Sequence, residues 1–314
     1  MYKAGVDLGG TNIAVGIINE NNEIIARART KTALPRPAVD ILTDMADCVK
    51  KACESAGITL DQLDGVGIGT PGSVDRENGI ILYANNLGFD KVPAGEILFE
   101  QLGRPIYLEN DANCAALGEA VAGAGAGKKS FVAITLGTGV GGGIVMDGKI
   151  ITGCNGAGGE LGHIVIKFDG EMCNCGRQGC WERYASATAL ISQTKQAMKE
   201  HPESKMWELC GGNIDNAGGR TAFDAMRAGD ETGKMVVDNY TKYVAIGTAD
   251  IVNALQPEMI CFGGGICNEG ETLLAPIRAY VEKERYSVYS DVQTQLCRAT
   301  LGNDAGIIGA ALLA

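Results

Sequence analysis

Residues 131–146, FVAITLGTGVGGGIVM, read as a buried strand, a Gly-Thr-rich turn from Gly137 to Gly143, and a second strand. The chain opens in the same way. Residues 2–8 read as a strand, Gly9-Gly10-Thr11-Asn12 as a turn, and IAVGIIN as the returning strand. A polar turn at residues 19–22 then leads into a third strand, EIIARART. One glycine-rich turn carries little weight alone. Two copies in matching contexts point to two similar α/β domains facing each other across a cleft. In the first copy, bare backbone N–H groups and the Thr11 hydroxyl let an anion approach closely. Asp7 beside them can hold Mg2+ directly or through water. A plain hairpin with a strand-end carboxylate fits the same residues.

A second stretch carries different chemistry. His163–Glu182, HIVIKFDGEMCNCGRQGCWE, packs Cys173, Cys175 and Cys180 behind His163, one of only two histidines in the chain. Three thiolates and an imidazole are the donors of a closed tetrahedral zinc site. Gly170, Gly176 and Gly179 are expected to let the backbone turn tightly enough to aim them at one centre. Four protein ligands leave no open position for water, so the zinc is expected to be structural. The alternative is three ordinary buried thiols in a glycine-rich loop.

Around these stretches the pattern alternates strands and helices. Ile41, Met45, Ala46, Val49 and Ala52 mark one face of a helix over 38–56, ended by Gly57. DGVGIGTPG (64–72), IILYA (80–84) and PIYLEND (105–111) read as strands, the last leading into a helix. Asp111 at that junction suits catalysis and suits equally a helix N-cap. Residues 122–129 form a glycine-alanine loop, a candidate hinge or boundary. Helices are expected over 184–200, 220–229, 231–255 and 271–284, with strands at 258–266 and 295–301. Asn303-Asp304 are expected to cap a last helix rich in glycine and alanine.

With 314 residues the chain can build two cores. A net charge of −11 excludes a broad electrostatic footprint for nucleic acid or an anionic membrane. Neither a signal peptide nor an apolar run long enough to span a bilayer is visible. Eleven cysteines, odd in number and scattered apart from the cluster, point to a reducing cytoplasm.

DLGGTN (7–12), LEND (108–111), TLGTGVGGG (135–143), GELGH (159–163), CNCGRQGCWE (173–182) and FGGGI (262–266) together resemble the ROK family (repressor, open reading frame, kinase) of sugar kinases, nearly end to end and in order. The resemblance implies the actin/Hsp70/hexokinase-like two-domain ATPase fold, with an interdomain cleft and a structural zinc loop. The expected domains are residues 1–121 plus the C-terminal 300–314, and residues 122–299 with the zinc loop. Within the family the chain looks most like bacterial glucokinases, which transfer the γ-phosphoryl group of ATP to glucose.

By resemblance, Asp111 is the general base that accepts the proton of the attacking hydroxyl. Gly72, Asn85, Asn110, Asp111, Glu160, His163 and Glu182 would hold the sugar. Asp7, Gly9, Gly10, Thr11, Asn12, Thr138, Gly139, Gly264 and Gly265 would serve ATP and Mg2+. His163, Cys173, Cys175 and Cys180 would bind Zn2+, with His163 offering its second nitrogen to the sugar. Family members are commonly homodimers or homotetramers. The same motifs also serve kinases of N-acetylmannosamine, fructose or allose. Sugar-responsive repressors share the body but add an N-terminal DNA-binding domain, for which residues before Asp7 leave no space. A non-catalytic sugar-binding protein is a further alternative, against which Asp111 and both Gly-Thr turns argue.

Overall fold

The computed structural model describes residues 2–314; Met1, the first residue of the expected N-terminal domain, lies outside them. The chain divides into two compact units. The first comprises the residues up to Ala133 with Gly143–Gly159 and Ala299–Ala314, and the second comprises Ile134–Gly142 and Glu160–Arg298.

In the first unit, β1 (Tyr2–Leu8), β2 (Asn12–Ile18) and β3 (Ile24–Lys31) form the antiparallel start that the sequence predicts. Helix α1 (Ala38–Ala56) buries the predicted face, including Ile41, Met45 and Val49. Its N-cap, Pro37, makes no side-chain bond. A missing cap costs about 1 kcal/mol, whereas each large buried apolar side chain contributes about 1.5–3 kcal/mol, so packing holds this helix. Gly57 ends it in the left-handed conformation, as expected.

Strand β4 (Leu63–Thr70) pairs in parallel with β1. Strands β5 (Ser73–Asp75), β6 (Ile80–Ala84) and β7 (Phe89–Val92) make a separate three-stranded sheet. Helix α2 (Ala94–Leu102) follows. Sequence periodicity misses β5, β7 and α2, because these elements are short and α2 has glycine at its second position. That Gly95 is needed for packing: a Cβ there would lie 3.0 Å from Gly79 Cα. Strand β8 (Ile106–Asn110) completes a sheet ordered β3-β2-β1-β4-β8, and α3 (Asp111–Ala122) begins at the next residue.

Strands β9 (Ser130–Leu136), β10 (Val140–Met146) and β11 (Lys149–Ile150) build the second Gly-Thr hairpin and its extension. Helices α4 (Glu182–Ala185), α5 (Ala187–Glu200), α6 (Met206–Leu209), α7 (Thr221–Arg227) and α8 (Glu231–Leu255) follow. The single helix expected over 184–200 is broken at Ser186, whose hydroxyl caps α5 by accepting from Ala189 N at 3.0 Å. Then come β12 (Met259–Gly263), α9 (Glu271–Glu284) and β13 (Gln295–Arg298). The second sheet has the order β11-β10-β9-β12-β13.

The strand expected over 295–301 stops at Arg298. Beyond it, Thr300 N (3.1 Å) and Leu301 N (2.7 Å) donate to the buried carboxylate of Glu119 instead of to a neighbouring strand. The last helix, α10 (Asp304–Ala311), belongs to the first unit. Asn303 makes no capping bond, contrary to the expectation for it. Helix α10 packs almost backbone to backbone. A Cβ on Gly5 would fall 1.9 Å from Ile307 O, one on Gly67 1.7 Å from Ala310 O, and one on Gly309 1.6 Å from Cys114 O. Glycines in β1, β4 and α10 itself are therefore what let this helix sit on the sheet and beside α3.

Candidate active site

Within the first unit, the turn after β1 is closed by Gly9 N donating to Asn12 O at 2.9 Å. Thr32 pins it from β3's end, with its hydroxyl on Gly9 O (2.6 Å) and its N–H on Thr11 O (3.0 Å). A Cβ on Gly10 would lie 3.9 Å from Asn86 O, so the turn adjoins the exposed segment that begins at Asn85. Gly72 has φ of 86°, and a Cβ there would meet Tyr83 O at 1.9 Å. Its carbonyl accepts from Asn110 Nδ2 at 3.1 Å. The structure thus links Gly72, Asn110 and the strand leading to Asn85.

The choice between cap and catalyst for Asp111 is resolved in part by its neighbour. Asn110, not Asp111, is the N-cap of α3: its Oδ1 accepts from Ala112 N at 2.9 Å and Asn113 N at 3.3 Å. Asp111 is the first helical residue, and its Oδ1 accepts from Ala112 N at 2.8 Å. Burial pushes its carboxyl above the usual range, partly offset by that N–H. Asp7 is pushed up to about 6, by burial first and by the Asp111 charge second. Two carboxylates that repel in a sparsely solvated place are suited to receive a cation and a proton. Gly69 makes room beneath them, since a Cβ there would lie 3.1 Å from Cys114 Sγ and 3.5 Å from Asp111 Cα.

Within the second unit, the four cluster residues converge. Their donor atoms all lie within 4.8 Å of one another, with Cys175 Sγ 3.6 Å from Cys180 Sγ and Cys173 Sγ 3.8 Å from His163 Nδ1. Sulfurs about 2.3 Å from a tetrahedral zinc are about 3.8 Å apart, so the spacing fits that ion. Gly176 (φ 85°) and Gly179 (φ 77°) supply the expected left-handed turns. Gly170 does not; it is glycine because a Cβ would strike the Tyr184 hydroxyl at 2.2 Å. Backbone N–H donation at Arg177 pulls the Cys175 thiol down to about 6, while burial pushes Cys173 up to about 11.

His163 turns its other nitrogen, Nε2, to Glu160 Oε2 at 4.0 Å. Glu182 opens α4 and accepts from Val140 N at 3.0 Å through Oε2. Gly139 leaves room for that carboxylate where it now lies, since a Cβ would fall 2.2 Å from that oxygen. The preceding turn is held by Ala187 N on Gly137 O (2.8 Å) and the Thr188 hydroxyl on Thr138 O (2.8 Å). Gly264 has φ of 96°, and a Cβ there would fall 2.3 Å from Leu136 O, so strand packing already requires glycine there. Gly265 faces open space.

The model of the ROK family matches residues 3–314. The chain belongs to the ROK family. A glucokinase of Thermotoga maritima is 38% identical over 309 residues, covering 98% of this chain and 95% of that protein. A glucokinase of Halalkalibacterium halodurans is 40% identical over 312 residues, with 98% and 93% covered. Among solved structures, a ROK family glucokinase from Streptomyces griseus, in complex with glucose and AMPPNP, superposes with a TM-score of 0.81 at 36% identity, covering 100% of this chain and 99% of that one. The fold of this ROK protein is accordingly the two-domain actin/hexokinase type, as the motifs imply.

Several residues that shape this ROK site escape sequence reading. Glu109 is buried, 2% exposed, and binds Arg76 at 2.6 Å while accepting from Asn110 N (2.7 Å) and Asn113 Nδ2 (3.0 Å). It fixes the Asn110-Asp111 junction from behind. Its place near the end of the strand PIYLEND is the one sequence signal for it. Trp181 is fully buried, its Nε1 donates to Tyr243 O at 2.8 Å, and it fills the notch left by Gly247 in α8. It anchors the loop that carries Glu182. In the sequence Gly247 shows only as a glycine inside the helix expected over 231–255.

Proposed function

We propose that this ROK protein is an ATP-dependent hexose kinase acting on glucose, giving glucose 6-phosphate and ADP. The observation that carries the proposal is Asp111, which leaves capping to Asn110 and presents a carboxyl of raised basicity at the head of α3. The glucokinase relatives and the glucose complex of the Streptomyces griseus protein support the sugar.

In this reading Asp111 hydrogen-bonds the attacking sugar hydroxyl, aligns its oxygen, and takes its proton as the O–P bond forms. Phosphoryl transfer asks chiefly for positioning and charge neutralisation. The Gly9–Asn12 turn, Thr138 and Gly139 face the donor's phosphates, while Gly264 and Gly265 line the nucleotide. Gly72, Asn85, Asn110, Glu160, His163 and Glu182 are the residues that the family resemblance gives to the sugar hydroxyls. Asp7 suits Mg2+, which when bound neutralises phosphate charge. The His163, Cys173, Cys175 and Cys180 cluster suits Zn2+, which when bound supplies a cross-link that fixes His163. The eleven cysteines, odd in number and scattered apart from the cluster, are in keeping with a reducing cytoplasm. A homodimer or homotetramer is the assembly we expect.

A coupled assay with Mg-ATP against glucose, N-acetylmannosamine, fructose, mannose and allose tests the proposal. Rapid ADP release with glucose supports it. Preference for another hexose replaces the substrate and keeps the chemistry. Turnover of none of them removes the kinase reading.

A further inference from the structure

We propose that Arg29 is a ligand of the phosphoryl donor, binding its outer phosphates beside the Gly9–Asn12 turn. The identity of the donor rests on the kinase reading above; the anion site does not. A cavity of about 800 Å3 is lined by Asp7, Gly10 and Thr11 on one side, by Asp304 on another, and by Arg27 and Arg29 along β3.

The strand register places Arg29 in that cavity. Asp7 pairs with Ala14, and Ala14 pairs with Arg29. Directly paired residues point to the same face of a sheet, with strands about 4.8 Å apart. Arg29 is therefore about 10 Å from Asp7 along one row, and only the methyl group of Ala14 stands between them. A guanidinium extending over that methyl group reaches the space in front of the turn.

Charge selects Arg29 over its neighbour. Arg27 lies two residues earlier on the same face and is engaged by both oxygens of Asp304. That pair cancels itself. Arg29 is exposed and has no ion pair among the described residues. A polyphosphate entering this cavity meets Asp7, which needs a metal ion, and one uncommitted cation, Arg29. The start of α10 adds to the attraction, because Asp304 marks the positive end of that helix on the cavity wall. At its first turn Gly306 keeps the space beside Asp7 open, with even a Cβ there lying 3.5 Å from Asp7 Cγ. The planar fork of arginine suits bidentate contact with phosphate oxygens.

Arg29 also stands on an edge strand, where charged side chains discourage pairing with other chains. That role would change association between molecules and leave anion binding untouched, so experiment separates the two.

Arg29→Gln is to be compared with wild type by calorimetry with inorganic tripolyphosphate and with AMP, and by kinetics with Mg-ATP. We expect tripolyphosphate binding and the KM for Mg-ATP each to weaken about tenfold, as for loss of one charged hydrogen-bonded contact. The affinity for AMP, which lacks the outer phosphates, the KM for sugar and the melting temperature should be unchanged. Arg29→Lys should recover part of the loss. Lys283→Gln, an equal change in net charge at an exposed position, should have no effect. Unchanged tripolyphosphate and Mg-ATP values in Arg29→Gln overturn the proposal, as does equal weakening of AMP, a change in association state alone, or a wild type that binds no tripolyphosphate. If wild type binds tripolyphosphate through Arg29 but phosphorylates no hexose, the kinase reading fails and Arg29 stands. If wild type phosphorylates glucose and Arg29→Gln matches it, the kinase reading stands and Arg29 fails.

Discussion

The carboxylate of Glu182 accepts a hydrogen bond from the backbone N–H of Val140, 42 residues away in sequence, at 3.0 Å. Its other oxygen lies 3.9 Å from Cys173 Sγ. One side chain therefore touches both the Gly-Thr turn at the start of β10 and a residue of the thiol cluster. Disturbing the cluster should be felt at the turn.

Asp111→Asn should reduce kcat by about 10²–10⁴-fold, the range for loss of a general base. Sugar affinity should stay near wild type. Because Asn110 supplies the cap, stability should change by less than about 1 kcal/mol. Steady-state kinetics and calorimetric glucose binding check this. Normal turnover with weakened binding would contradict the assigned role.

Asp7 gives a pH signature. Its folded value, about 6, lies above the ordinary 3.8. A raised carboxyl favours folding fully below the lower value and loses that contribution as pH rises through the higher one. Asp7→Asn should therefore stabilise the protein at pH 8 in magnesium-free buffer, by an amount on the order of 3 kcal/mol. The advantage should shrink between pH 6 and pH 4 as wild-type Asp7 is protonated. Activity should fall in the same direction, since neutral Asp7 and Asp111 serve neither metal nor proton transfer. Thermal melts across pH, with and without magnesium, decide the point; a benefit that grows on acidification would refute it.

Removal of zinc should abolish turnover and restoring it should recover turnover. Cys175→Ser should retain little metal by elemental analysis. Binding should release protons and tighten with pH, because Cys173 is protonated at neutral pH in the absence of metal. A fully active, zinc-free Cys175→Ser protein would show that the cluster does not order Glu182 and His163.

Gly247→Ala tests the Trp181 anchor. In an ordinary helix interior, alanine is better than glycine by about 1 kcal/mol. Here the new methyl group would lie 2.3 Å from the Trp181 ring, and overpacking of this kind costs about 1–3 kcal/mol. We expect net destabilisation, altered tryptophan fluorescence and weaker zinc retention. A more stable protein with unchanged fluorescence would mean that Trp181 does not fill the notch.

The main framework was legible because its signals are local. The glycine and polar turns at 9–12 and 19–22 delimit the opening strands, periodicity marks α1, and the cysteine spacing marks the cluster. What escaped depends on partners remote in sequence. Arg76 is 33 residues from Glu109, and Trp181 is 62 from Tyr243. Gly69 and Gly139 read as ordinary turn or strand glycines, yet each makes room for a particular side chain, Cys114 or Glu182. The sequence offers Asp111 as the cap, but Asn110, one residue earlier, holds that place, because both residue types cap well and only the backbone shows which one starts the helix.

The seating of α10 has a consequence for synthesis. Helix α10 covers Gly5 and Gly67 in β1 and β4, but its own residues are made after all of α4–α9 and β13. The sheet of the first unit must therefore wait, with one face uncovered, while the intervening chain is made. Its completion must await synthesis of α10, and premature termination anywhere before residue 304 leaves that apolar face open to other chains.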